Sequence, residues 1–242
     1  AALLRGGTLP VAYVYPRNMR STRDLLRRRN HLMQKRSELL AHIQNTNSQY
    51  NLPEFGKKLA YKANRDGVTD HFPDPCVQKS IEMNLQLIDL YDRLLTGLEL
   101  YIVQKAKGHD VRSFYLLRSI PGVGKILSLV LLYEIHDINR FPPVQDLVSY
   151  CRLVKCPRES GGKQSGARNS KIGNAHLKWA FSEAACLFLR GNEQAQLYHS
   201  RLVSKHGKGK ALSILAHKIA RAVYFMLKRK EPFRMDTFLA RA

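Results

Sequence analysis

The densest group of residues able to do chemistry is Cys156-Pro157-Arg158-Glu159-Ser160-Gly161-Gly162-Lys163-Gln164-Ser165-Gly166-Ala167-Arg168-Asn169-Ser170-Lys171-Ile172-Gly173-Asn174. Its Gly, Ser and Lys/Arg content predicts a loop, followed by a helix over 175–190 that carries Trp179 and Phe181. Lys163, Arg168 and Lys171 could neutralise charge developing on a phosphodiester, and Ser160 or Ser170 could attack phosphorus. Composition alone favours a plainer reading, a solvated loop that grips a nucleic-acid backbone, because a serine with no base beside it is rarely a nucleophile.

A second group is Ser119-Ile120-Pro121-Gly122-Val123-Gly124-Lys125, ahead of an apolar helix over 126–135. Helix, two-glycine turn and helix is the helix-hairpin-helix pattern. Glycine supplies positive φ and close backbone approach, and the N–H groups at the next helix start can hold a phosphate. The competing reading is a plain turn between two core helices. Neither the Walker nor the Rossmann glycine spacing is present.

Charge narrows the partners. The 242 residues hold 40 Lys+Arg against 19 Asp+Glu, a formal net charge of +21 and a pI near 10.1. Residues 151–230 alone carry 17 Lys+Arg and three Asp+Glu, including the basic hinge Lys205-His206-Gly207-Lys208-Gly209-Lys210. Such an excess calls for an anionic partner, and nucleic acid fits better than a membrane surface, since the bases run along the whole chain. The interleaved aromatics, Trp179, Phe181, Phe188, Tyr198, Tyr224 and Phe225, are read as core rather than as stacking platforms.

The acids are scattered, with no cluster beside either motif that could hold the two metals of a nuclease. Asp66, Asp70 and Asp74 with His71 are read as a solvated turn, and Cys151 and Cys156 with His176 lack the second knuckle of a zinc site. Cys76, Cys151, Cys156 and Cys186 show no disulfide framework and suit a reducing cytosol. No apolar run approaches the ~20 residues of a membrane span, and Ala1–Pro10 does not read as a signal peptide.

The elements that must position these motifs follow from periodicity. Ala1–Arg5 reads as a helix end stopped by Gly6-Gly7, and Leu9–Tyr15 as a short strand or connector. From Arg17 to about Gln49 there is no Gly or Pro; Leu25, Leu32 and Leu39, and Leu26, Met33 and Leu40, recur every seven residues. A second long helix is predicted from Cys76 to about Lys107, with a stripe of Ile81, Leu85, Ile88, Leu95 and Ile102 widened by Leu87, Tyr91, Leu94, Leu98 and Tyr101. Asp92 and Gly97 interrupt that seam. The two helices, joined by Asn51–Pro75, predict an antiparallel hairpin or coiled coil. Shorter helices follow, including one over 211–230.

In combination these elements resemble the insertion-sequence transposases with a DEDD acid set, described as bridge-RNA-guided recombinases. The resemblance rests on Leu3-Leu4-Arg5-Gly6-Gly7, Pro10 and Tyr15-Pro16 with the basic helix after them, then Ser119-Ile120-Pro121-Gly122-Val123-Gly124 and Phe141 with Leu147-Val148-Ser149-Tyr150. Its most specific block is Arg158-Glu159-Ser160-Gly161-Gly162-Lys163 with Ser170-Lys171-Ile172-Gly173-Asn174-Ala175-His176-Leu177. It implies an N-terminal RuvC-like domain with four acids and Mg²⁺, a coiled coil for subunit pairing, and a transposase domain with a catalytic serine. By motif match that serine is Ser160, a nucleophile forming a phosphoserine link to DNA. Lys163, Arg168, Lys171, Asn174 and His176 are its implied phosphate-holding neighbours. Two departures stand out: the four acids are expected upstream of Ala1, and Cys151-Arg152 replaces small residues.

The expectation is therefore an all-α protein: residues 1–16 the tail of an RuvC-like domain or a connector, 17–108 a long helical hairpin, 109–242 a compact domain. Ser160 is the expected catalytic residue. Expected nucleic-acid contacts are Gly122, Gly124, Lys125, Arg158, Lys163, Arg168, Ser170, Lys171, Asn174, His176, Lys178, Lys208 and Lys210. The expected function is insertion-sequence DNA recombination, with Mg²⁺ held outside this chain and none bound by it. Expected partners are element-end and target DNA, a guide RNA, and further copies of the chain as a homodimer or homotetramer. The expected place is the cytoplasm, at the nucleoid. The competing expectation is a non-catalytic DNA- or RNA-binding fragment of such a recombinase.

Overall fold

The computed structural model describes residues 2–8, 13–106, 108–154, 159–160, 163–164 and 173–240; at 3, 159, 160, 163 and 164 it describes the backbone alone. The described chain is all-α but for one small hairpin. Its elements are α1 (Ala2–Arg5), α2 (Arg17–Gln49), α3 (Pro75–Ala106), α4 (Val111–Arg118), α5 (Lys125–Ile135) and α6 (Val144–Tyr150). The strands β1 (Glu159–Ser160) and β2 (Lys163–Gln164) come next, then α7 (Ala175–Phe188), α8 (Glu193–His206), α9 (Lys208–Arg229) and α10 (Met235–Ala240).

Helices α2 and α3 pack along their length. In α3 the buried positions Ile81, Ile88, Leu95 and Ile102 are those the sequence stripe predicts. The expected widening holds in part: Tyr91 and Leu98 are half-buried, Leu98 against the main core, but Leu87, Leu94 and Tyr101 are exposed. In α2 the buried seam is Met19, Thr22, Leu26, Arg36, Ile43 and Asn47, so of the two expected leucine rows only Leu26 is fully buried. The seam steps three and four residues through polar side chains, which hides it from an apolar count.

Those polar side chains pair across the hairpin. Arg29 meets Glu99 at 2.6 Å, and Arg36 Nε meets Asp92 at 2.5 Å while its Nη2 donates to the Ala60 carbonyl. Arg65, from the connecting segment, donates to Asp89 at 2.5 Å and reaches Asp92 at 2.7 Å. Asp92 is thus an ionic hub rather than an interruption. Beside it Leu59, Val68 and Phe72 pack with Ile43, Ile81 and Ile88 in a small separate core. Asp74 caps α3 through the Cys76 N–H at 2.7 Å, and Pro75 opens that helix.

The larger core surrounds α5, which is buried from Leu127 to Ile135. A helix apolar on every side belongs in a protein's centre. Around it pack α4, α7 and the base of the hairpin, with α9 beyond. Met19, Leu26, Ile102 and Ala106 belong to this core, so the hairpin roots directly in it. Gly207 (φ +80°) separates α8 from α9. The helices expected over 126–135, 175–190 and 211–230 are found at Lys125–Ile135, Ala175–Phe188 and Lys208–Arg229.

Candidate nucleic-acid interface and the base of the serine loop

Within α5, one residue breaks the apolar run. Glu134 is 4% exposed among leucines and isoleucines, where an unpaired carboxylate costs several kcal/mol. It is held on two sides. Arg27 of α2 forks onto it, Nε to Oε1 at 2.7 Å and Nη2 to Oε2 at 2.8 Å, and Asn174 Nδ2 donates to Oε2 at 2.7 Å. Burial opposes its ionisation, yet these donors and the Arg27 charge outweigh burial and hold the carboxyl below its ordinary range.

Asn174 works at both ends. Its Oδ1 accepts the His176 and Leu177 N–H groups at 2.9 and 3.1 Å, capping α7. Its own N–H donates to the Tyr150 carbonyl at 2.6 Å. The preceding Gly173 has φ +101°, and a Cβ there would sit 2.6 Å from the Tyr150 oxygen, so no other residue fits without movement. Arg152 Nη2 donates to the Gly173 carbonyl at 2.8 Å. The chain entering the serine loop and the chain leaving it are therefore tied together above Glu134. His176, half-buried beside this network, has its pKa lowered, first by burial and then by Arg27 and Arg23 against the opposing pull of Glu134. It is neutral at pH 7.

The segment Tyr13–Tyr15 lies against the same region. The Tyr15 hydroxyl donates to the Tyr133 carbonyl, and Arg23 lies 4.0 Å from the centre of the Tyr15 ring. Arg140 lies 3.8 Å from the Tyr13 ring centre and 5.0 Å from that of Tyr150, and the Tyr150 hydroxyl is 3.4 Å from Asn174 Nδ2.

Ser160 itself ends β1, and its register partner across the antiparallel pair is Lys163; Glu159 pairs with Gln164. A short hairpin thus stands inside the stretch expected to be loop. Arg158, Arg168, Ser170 and Lys171 lie outside the described residues.

The two glycines between α4 and α5 do different work. Gly122 (φ +79°) lies against the end of α7, where a Cβ would come 2.5–2.7 Å from the backbone of Leu187 and Phe188. Its role here is close packing. Gly124, at the α5 N-cap, has nothing within 4 Å of its Cβ position, and Lys125 beside it is exposed. This turn packs at the far end of α7 from Asn174, about 20 Å away at 1.5 Å per residue. Lys178 on α7 and Lys208 and Lys210 in the first turn of α9 are exposed. The structure gathers Asn174 and His176 at the loop base and sets Gly122, Gly124 and Lys125 apart from them.

Tyr150 and Gly173 stand in the motif blocks and Arg152 beside them, but none is an expected contact, and Arg27 and Glu134 lie outside the motifs. Glu134 had a readable signal, a lone charge inside an apolar helix. Arg27 had none, being one of many arginines on α2.

Other candidates have structural employment. Cys151 is fully buried in the main core, and burial pushes its thiol pKa up. His71 Nε2 lies 3.1 Å from the Pro53 carbonyl. Among the described residues no three His, Cys, Asp or Glu side chains gather to hold a metal, and no helix is long and apolar enough to cross a membrane. Mg²⁺ does not fit Glu134, whose oxygens are taken by Arg27 and Asn174.

Residues 115–200 match the model described as Transposase IS116/IS110/IS902 family. The matched segment runs from α4 into α8 and holds Gly122, Glu134, Ser160 and Asn174. The transposase for insertion sequence element IS1111A of Coxiella burnetii is 26% identical over 226 residues, 87% of this chain and 59% of that protein. The insertion element IS110 uncharacterized 43.6 kDa protein of Streptomyces coelicolor is 30% identical over 116 residues, 46% of this chain and 28% of its own length. The chain thus spans less than two thirds of either relative.

Proposed function

We propose that this chain is the serine-bearing part of an insertion-sequence transposase, cutting and rejoining DNA through Ser160. The observation that carries this reading is the pinned loop base. The Glu134–Asn174–Tyr150 network, with Gly173, fixes both ends of a basic, serine-bearing segment in the middle of the span that matches transposases. The Ser160 Oγ would attack a DNA phosphorus, the bond to the leaving 3′ or 5′ oxygen would break, and a phosphoserine link would hold the strand end until exchange. Lys163, Arg158, Arg168 and Lys171 supply cationic charge on the same loop. Gly124 and Lys125, with Lys178, Lys208 and Lys210, would grip flanking phosphates. Mg²⁺ belongs to acids outside this chain, and a structured guide RNA is the proposed source of target choice. On this reading residues 1–16 lead in from the acidic domain, 17–108 pair subunits and 109–242 hold the serine.

Subunit pairing has its own support. Met83, Leu87, Leu90, Leu94 and Tyr101 are exposed by 58, 43, 41, 48 and 51% along the outer side of α3. Their three-, four- and seven-residue steps are those of a coiled-coil seam, matched to a helix of a second copy. Leu87→Lys with Leu94→Lys should lower the sedimenting mass to that of one chain. An unchanged mass would remove this surface from the assembly.

The deciving experiment for the serine is incubation of the protein, with any preceding acidic domain, with element-end DNA and flanking transcript, then denaturing electrophoresis. An adduct lost in Ser160→Ala, with DNA affinity kept, is expected. Salt-sensitive binding without an adduct would leave a nucleic-acid-binding fragment instead, and an adduct that survives Ser160→Ala would take the nucleophile away from Ser160.

A further inference from the structure

Away from the serine loop, α8, α9 and the 231–238 segment enclose a cavity of roughly 490 Å³. That volume lies in the range of sites for small organic ligands. Its floor is a second stripe of α9, beside the face that enters the core. Where Leu215, Ile219 and Val223 are buried, Lys218, Arg221, Phe225 and Arg229 line the cavity instead. Tyr198 and Phe233 complete its walls.

The composition is unusual for a plain gap between helices. His217, Lys218, Arg221, Arg229 and Arg234 face a single acid, Glu231. Among the described residues no carboxylate lies within ion-pairing distance of Arg221, Arg229 or Arg234. Lys218 sits 4.5 Å from the Tyr198 ring centre and 5.1 Å from that of Phe238, and Arg229 lies 5.1 Å from that of Phe225. Burial lowers the pKa of Lys218. Aromatic faces beside cations are what an unstacked base and its phosphates require together.

We propose that this cavity takes one nucleotide of a single-stranded polynucleotide, its base against the Phe225 and Phe233 rings and its flanking phosphates on Arg221 and Arg229. A duplex cannot use it, because paired bases keep their faces stacked inside the helix. The inference rests on nucleic acid being the partner of the basic surface, and not on Ser160 chemistry.

The test uses fluorescein-labelled 15-nucleotide dT and rU single strands and a duplex of equal length, titrated onto the whole chain. Arg221→Gln with Arg229→Gln should weaken single-strand binding about tenfold, since each lost phosphate contact removes a counterion-release contribution. Duplex binding should stay within about twofold. Phe225→Leu, which keeps the apolar volume and removes the ring, should weaken single strands several-fold in the same manner through lost base stacking. The dT and rU arms tell DNA from RNA as the source. Equal loss on duplex and single strand would reduce the cavity to general surface charge and overturn the proposal. So would unchanged single-strand affinity in both variants. An absent Ser160 adduct with these losses intact would sink the recombinase reading alone.

Discussion

The tip of the α2/α3 hairpin and the body around α5 solve the burial problem in different ways. At the tip, six buried apolar side chains share the work with Arg36, Arg65, Asp89 and Asp92. In the body a broad apolar core admits one fully buried carboxylate, Glu134, and satisfies it with Arg27 and Asn174. The tip uses ion pairs to align two long helices that carry little core. Among the described residues the body buries a carboxylate where a loop must be held, and the partly exposed Arg27 that pairs with it ties that loop to the hairpin.

If that contrast is right, losing the body's ion pair is the larger injury. Arg27→Met leaves the buried Glu134 carboxylate with Asn174 as its remaining partner and should cost about 3–5 kcal/mol. Calorimetry should show the melting temperature falling by roughly 10 °C or more. A fall of a degree or two would mean that Glu134 is not what closes the loop base. Glu134→Gln, which can still accept from Asn174, should lose less.

Close packing at the other end of α7 comes next. Gly122→Ala meets backbone atoms of Leu187 and Phe188 at 2.5–2.7 Å from a positive-φ position, and should cost about 2–4 kcal/mol. Gly124→Ala, in open space, should stay within about 1 kcal/mol and be felt instead in duplex affinity. Equal destabilisation of the two in urea titrations would erase the distinction between the packing glycine and the interface glycine.

The smallest effect belongs to the tip. Asp92→Asn should cost about 1–2 kcal/mol, reduced by partial exposure. Burial acts to raise the Asp92 pKa, but hydrogen bonds from Arg36 and Arg65 and their charges bring the net value below the ordinary one. The stabilisation is therefore complete above the unfolded carboxylate pKa, about 3.9, and is lost as pH falls through the lower folded value. Hydrogen exchange at the tip should rise as the wild type is taken below pH 4, and less steeply in Asp92→Asn. Parallel curves would show that the tip does not depend on this charge.

Legibility differed between the same two regions. The α3 stripe was readable because Ile81, Ile88, Leu95 and Ile102 are apolar at seven-residue steps. The α2 seam was not, since it runs through the polar Thr22, Arg36 and Asn47, and Arg36 finds its partner far away in the sequence at Asp92. The Gly122 turn was readable as a turn between two helices. That Gly122 serves packing and Gly124 stays open needed the position of α7. In the candidate site, Asn174, His176 and Tyr150 stand in the motif blocks, whereas Arg27 and Glu134 come from two other helices outside them.

By itself the sequence determined the all-α class, the two long helices, the positive charge and the serine-bearing segment, because these are set by local composition and by periodicity within one element. Only the tertiary structure decided which charges are buried, which glycine is irreplaceable and what closes the serine loop. Each of those depends on contacts between residues as far apart as Arg27, Glu134 and Asn174, and a contact of that kind leaves no local pattern to read.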